Sequence, residues 1–193
     1  MLSKKMKARI FLIGIAMLFF IPILFSWYLV FYTDFKKNSN GVENGKLINP
    51  VIELGELKVS DIANSRIVSL KDKWVLTFVV DEMCDILCEE HLYQVRQIRL
   101  ALGEDRGDVD RLLIAKSILS WENYTGLFNG QKYLDSNQQG YEELLKRLSK
   151  YKNFSNKSIY LIDPFGFLMM EYPAGTSPIG IIKDIERLIR NSK

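Results

Sequence analysis

The sequence is poor in the residues from which most enzyme sites are built. It holds one histidine, His91, and two cysteines, Cys84 and Cys88. A single imidazole with no nucleophile elbow leaves no serine triad. The same three residues, all within one short stretch, supply no zinc framework. A glycine-rich phosphate loop is missing as well. Acidic side chains are absent from the first 32 residues, where Lys4, Lys5, Lys7 and Arg9 stand. The net charge of +3 belongs to these four bases, and the rest of the 193-residue chain is close to neutral. No clustered excess of Lys and Arg remains for phosphates, so no nucleic-acid partner is expected. No internal repeat divides the chain, and its length fits one domain with an appendage.

What is present begins with a long apolar run. Ile10 to Tyr32 is 23 residues without a charge, and about 20 suffice to cross the hydrocarbon core as a helix. The run is longer than the core of a cleaved signal and ends in Trp27, Tyr28 and Tyr32, which suit the interface. Pro22 is tolerable within such a span. The reading is an uncleaved anchor over residues 10–32, with residues 1–9 in the cytoplasm by the positive-inside rule. The expected location is therefore the inner (plasma) membrane, single-pass, with the C-terminal domain in the periplasm, where a cysteine pair can be oxidised. Residues 33–45 have the Gly, Asn and Lys content of a tether. Residues 46–193 form the globular domain.

Within that domain, Lys46 to Leu57 alternates weakly and reads as an extended lead-in or edge strand. Ile67 to Leu70 is a short strand. Trp74 to Val80 is a continuous apolar run, the mark of a strand buried on both faces. Leu87, Leu92, Val95, Ile98 and Leu102 then fall at helical spacing, and Gly103 stops the helix. Arg111 to Ala115 is a second buried strand. Ser117 to Gly140 reads as an irregular insertion, with Trp121 and Tyr124 in it. Tyr141 to Tyr151 is an amphipathic helix. Ser158 to Asp163 and Phe167 to Tyr172 form a hairpin about Pro164-Phe165-Gly166, with Asp163 serving the turn. A last helix follows Ser177 and Pro178, striped by Ile179, Ile182, Ile185, Leu188 and Ile189. The predicted class is α/β, a mixed β-sheet flanked by helices, preceded by one transmembrane helix.

The chemistry concentrates at residues 73–91. The apolar strand leads straight into Cys84, and Cys88 opens the helical pattern. A helix N-terminus favours thiolate, the form that attacks disulfides and binds metal. Asp81, Glu82, Asp85, Glu89 and Glu90 oppose it, because like charge disfavours an anion. Three readings stay open. The pair is a redox dithiol, Cys84 attacking and Cys88 resolving. Or both thiolates bind Cu(I), with His91 as a third donor. Or the cysteines form a structural disulfide in an assembly scaffold. His91 also reads as a partly exposed helix residue, and Met169 and Met170 as hairpin core.

Two stretches carry a family resemblance. Cys84-Asp-Ile-Leu-Cys88 after a buried strand resembles the Cys-x-x-x-Cys motif of the Sco/SenC family, thioredoxin-like copper and thiol factors for cytochrome c oxidase assembly. Tyr160-Leu-Ile-Asp-Pro-Phe-Gly-Phe-Leu-Met-Met-Glu-Tyr172 resembles that family's hairpin. With the Asn44 to Pro50 lead-in, the chain is closest to single-span proteobacterial membrane proteins associated with the same assembly. The resemblance covers residues 44–192. It implies a thioredoxin-like fold, a respiratory oxidase subunit or another assembly factor as partner, and thiol–disulfide exchange or Cu(I) handling at Cys84 and Cys88. One departure is plain. Sco proteins supply a third copper ligand, a histidine, just before the Tyr-Leu strand. Here that segment reads Phe154-Ser-Asn-Lys-Ser158.

Overall fold

The computed structural model describes residues 4–32, 43–62, 65–80, 85–117 and 128–192. The chain separates into two compact units, Met1–Val42 and Glu43–Lys193. In the first, helix α1 (Lys4–Tyr32) runs through the apolar stretch with Pro22 inside it. Its window Phe11–Tyr28 has a mean hydropathy of 2.2 and is 0% buried. At 1.5 Å per residue those 18 positions reach ~27 Å, so α1 is long and apolar enough to cross a membrane. The linker expected over 33–45 lies mostly outside the described residues.

The second unit is built on strand β4 (Trp74–Val80), whose seven residues are buried except for the last. Helix α2 (Ile86–Ala101) and a 3-10 turn (Gly103–Asp108) lead from it to β5 (Val109–Ala115). Strands β4 and β5 pair in parallel from Trp74↔Val109 to Val80↔Ala115, so the unit is a βαβ crossover. Gly103 stands at φ 58, where its missing Cβ lets the helix end turn back. Strands β7 (Ile159–Ile162) and β8 (Phe167–Tyr172) form the expected hairpin, with β7 antiparallel to β4. Asp163 serves its turn: Oδ1 accepts the amides of Phe165 at 2.9 Å and Phe167 at 2.8 Å. The lead-in is β1 (Lys46–Glu53), an edge strand antiparallel to β8. Helices α3 (Tyr141–Leu148) and α4 (Pro178–Ser192) complete the layers.

Three sequence expectations change. First, strand β6 (Lys132–Asp135) lies inside the stretch read as an irregular insertion, parallel to β5. Its four residues, between Gly130-Gln131 and the polar Ser136-Asn137, are too few for a period to register. Trp121 and Tyr124 of the same stretch lie outside the described residues. Second, strand β2 (Lys58–Asp61) goes unread after the lead-in, because Val59 is its only apolar residue. It pairs with β6, where Lys132 and Asp61 form an ion pair, and with β3 (Ile67–Ser69). Third, α4 buries Ile181, Asp184, Ile185 and Ile189, while Ile179 is exposed. The helix is turned so that Asp184 reaches the lead-in: its carboxylate accepts the amides of Asn44 at 2.8 Å and Gly45 at 3.0 Å.

The sheet order is β1-β8-β7-β4-β5-β6-β2-β3. One face packs Leu76, Phe78, Val109 and Leu161 against α2 and α4; the other packs Val75, Leu112, Ile114 and Tyr160 against α3. Strand β4 belongs to both cores, and it points at the cysteine stretch.

Candidate functional site

Asp85 makes the site's helix start where it does. It holds extended backbone, and its Oδ1 accepts the N–H of Cys88 at 2.9 Å. Asp three residues ahead of an N–H it can reach is an N-cap pattern, and it satisfies one of the four orphan donors of a helix start. The sequence reading counted Asp85 only as one acid among five; the Asp-x-x-Cys spacing was the signal for its cap. Because Asp85 is the cap, α2 takes in Cys88 and His91, while Asp81 to Cys84 lie outside the described residues.

Cys88 is 2% exposed and packs in the core with Phe78, Leu92 and Ile181. His91, one turn on, is 5% exposed, which replaces the expectation of a partly exposed residue. Its ring meets Phe78 edge-on, with centroids 5.3 Å apart at 67°. Burial lowers its pKa, against the raising charges of Glu90 and Asp85, so the imidazole is neutral at pH 7. A cleft of about 130 Å³ opens beside it, between Glu90 and Gln94 on α2 and the Pro173–Thr176 loop. Gln94 Nε2 donates across this cleft to Thr176 O at 3.5 Å. A larger cleft, about 1040 Å³, lies between β1 and the end of α3 and contains none of these residues.

The segment where Sco proteins carry their histidine is filled differently. The Tyr160 hydroxyl donates to Ser155 O at 2.9 Å and accepts Ser155 N–H at 2.7 Å. Phe154 stacks on the Tyr160 ring at 5.2 Å. Ser158 Oγ donates to Glu171 at 3.0 Å. Among the described residues, no three His, Cys, Asp or Glu side chains are grouped to hold a metal ion. Met170 is buried in the core and accepts the Tyr172 hydroxyl at 3.6 Å, and Met169 packs beside it.

Residues 74–192, from the start of β4 to the last turn of α4, match the family model described as transmembrane-like, thioredoxin-like, C-terminal domain. The chain belongs to this family. No curated protein matches the sequence. The solved structures similar to this transmembrane-like, thioredoxin-like chain include several of the Sco/SenC type and the thioredoxin domain of a thiol-disulfide oxidoreductase of Bacteroides vulgatus. Copper-bound ScoI of Bradyrhizobium japonicum is 21% identical with a TM-score of 0.53, over 70% of this chain and 98% of that one. Yeast Sco1 is 15% identical with a TM-score of 0.56, over 75% and 97%. BsSco is described as a member of the Sco family of cytochrome c oxidase assembly proteins with a disulfide switch. It is 16% identical with a TM-score of 0.54, over 72% and 94%. At these identities the shared property is the Sco-like thioredoxin fold.

Proposed function

We propose that this chain is a membrane-anchored thioredoxin-like factor of cytochrome c oxidase assembly, exchanging thiols and disulfides with a partner's cysteines from the periplasmic side. The observation that carries the reading is the position of Cys88: buried, in the first turn of the helix that follows the central strand, four residues after Cys84. No free cysteine is found among the described residues, which also supports a paired state. The oxidase as destination rests on the fold shared with BsSco.

In this reading Cys84 is the attacking residue and Cys88 the resolving one, an assignment supported by the burial of Cys88, whose 2% exposure disfavours direct attack on a protein disulfide. The Cys84 thiolate attacks a partner disulfide, forms the mixed disulfide and releases one partner thiolate. The Cys88 thiolate then attacks the Cys84 sulfur and releases the second. Two electrons pass to the partner, and the Cys84–Cys88 disulfide remains. The test is Cys88→Ser in the full chain in its membrane. A mixed disulfide with a cysteine-bearing oxidase subunit or assembly factor is expected, lost when Cys84→Ser is added. An unreactive Cys84 with no trapped partner would end this reading.

A second reading, carriage of Cu(I) as cargo on the Cys84 and Cys88 thiolates, is favoured by the neutral His91 one turn past Cys88. A three-ligand site of the Sco kind does not fit, since the segment 154–158 offers no histidine. Cu(I) titration of the reduced chain decides it: binding no tighter than in the double Cys→Ser variant removes copper. A scaffold with a structural disulfide would give neither trapping nor copper.

A further inference from the structure

A guanidinium lies buried away from the residues that line the cleft described above. Arg111 projects from β5 on the face shared with Val109 and Leu113, under α2, and is 2% exposed. A leucine would suit this position, because a buried cation is costly unless paired. Its Nη2 donates to Asn129 O at 2.8 Å. Its Nε and Nη1 are buried without a hydrogen-bond partner. Lys132 pairs with Leu112 in the parallel ladder, so Gln131 stands beside Arg111. Gln131 is 0% exposed; its Nε2 donates to Lys132 O at 3.1 Å, and its Oε1 is unpartnered.

Two more arginines stand on the helix that packs over this strand. Arg99 Nε donates to Val109 O at 2.6 Å, two residues before Arg111 along the same face. Arg96 is one turn earlier on α2. None of the ion pairs among the described residues engages any of the three. Burial and the charges of Arg99 and Arg96 press the Arg111 guanidinium down to about 10, with Asp110 acting the other way. Strand alternation sends Asp110 to the opposite face.

We propose that Arg111, with Arg96 and Arg99, binds a small oxyanion between β5 and α2, and that the oxyanion is hydrogen phosphate. Arg99 and Arg96 add their positive charge to that of Arg111, and an anion answers the two unpaired nitrogens with charge-assisted hydrogen bonds. Gln131 sets the preference. Its Oε1 needs a donor, and hydrogen phosphate brings a hydroxyl where acetate brings none. Asn129 is exposed and Gly130 half-buried, so the rim lies at the chain reversal before β6. Gly130 has no side chain there; a Cβ would come within 3.5 Å of Nη2.

The test is thermal unfolding of the full chain in detergent, with inorganic phosphate, acetate or chloride at equal ionic strength, and 31P line-broadening as a direct measure of binding. A saturable rise in Tm with phosphate is expected, larger than with acetate. Arg111→Leu abolishes it and, without phosphate, is at least as stable as the parent. Arg96→Gln with Arg99→Gln weakens phosphate binding about tenfold or more. The proposal is overturned if neither anion raises Tm above chloride, or if the rise survives Arg111→Leu. An equal rise with acetate overturns the choice of hydrogen phosphate. Should Arg111→Leu fail to fold, unchanged phosphate affinity in the double variant overturns the site.

Discussion

Glu171 shows how one buried residue sets a pH limit. It is 5% exposed, and it accepts the Tyr151 hydroxyl at 2.6 Å and Ser158 Oγ at 3.0 Å, with Lys46 Nζ at 4.0 Å. Burial, the hydrogen bond to Glu171 and its charge push the Tyr151 hydroxyl up to about 12. In the unfolded chain a tyrosine ionises near ~10. The native state keeps a proton that the unfolded state gives up, so this contribution is complete below pH ~10 and is lost as pH rises toward 12. Burial raises Tyr160 and Tyr172 in the same direction. Denaturant midpoints at pH 9 and pH 11 should therefore fall, and fall less steeply in Tyr151→Phe. That variant should also lose about 1–2 kcal/mol at pH 9, because Glu171 forfeits a donor. An equally steep decline in Tyr151→Phe would assign the effect to the other two tyrosines. At this scale the sequence was partly legible. Cys88 and His91 on one helix face follow from their spacing. That His91 is buried against Phe78 does not, since a lone histidine reads alike on either side of a helix boundary between core and solvent.

The junction of β1 with α4 is the element whose loss should cost most for a single polar group. Asp184 is 3% exposed and accepts three donors: the amides of Asn44 and Gly45 and, at 2.9 Å, Asn44 Nδ2. Gly180 and Gly45 let the segments close, since a Cβ on Gly180 would meet Asn44 Cβ at 2.8 Å and one on Gly45 would meet the Tyr172 ring at 2.4 Å. Asp184→Ala leaves those donors unanswered and should lower stability by about 3 kcal/mol, read as a drop in denaturant midpoint with the helix content of α4 retained. A loss under ~0.5 kcal/mol would show that water serves these groups as well. The same junction explains what pattern reading missed. An Ile179–Ile182 stripe maximises apolar residues on one side of α4, but the helix turns to deliver a carboxylate, a requirement set by Asn44 some 140 positions away in sequence. Strands β4 and β5 and the hairpin were legible because each is a self-sufficient apolar run. Strands β2 and β6 exist through pairing with each other and with β5, a non-local cause that no window of residues contains.

For the whole molecule, the helix Lys4–Tyr32 and the unit Glu43–Lys193 invite separate tests. Phe19 lies mid-span and is 67% exposed. Phe19→Lys places a charge where it costs about 3 kcal/mol, so the chain should shift from the carbonate-resistant membrane fraction toward the soluble one. Unchanged retention would mean that α1 does not span. Residues 43–193 carry both cores, and expressed alone they should unfold at the same denaturant concentration as the parent in detergent. The central strand then has a consequence for measurement. Strand β4 is bonded along both edges, to β5 and β7, and is covered on both faces. Its amide protons at Leu76, Thr77 and Phe78 should swap for deuterium only when the entire unit opens. Their exchange rate is a clock for global opening, wound within a few residues of the proposed sulfur chemistry. Comparing that clock in protein treated with oxidant and with reductant weighs the two states of the proposed dithiol against each other without a partner present.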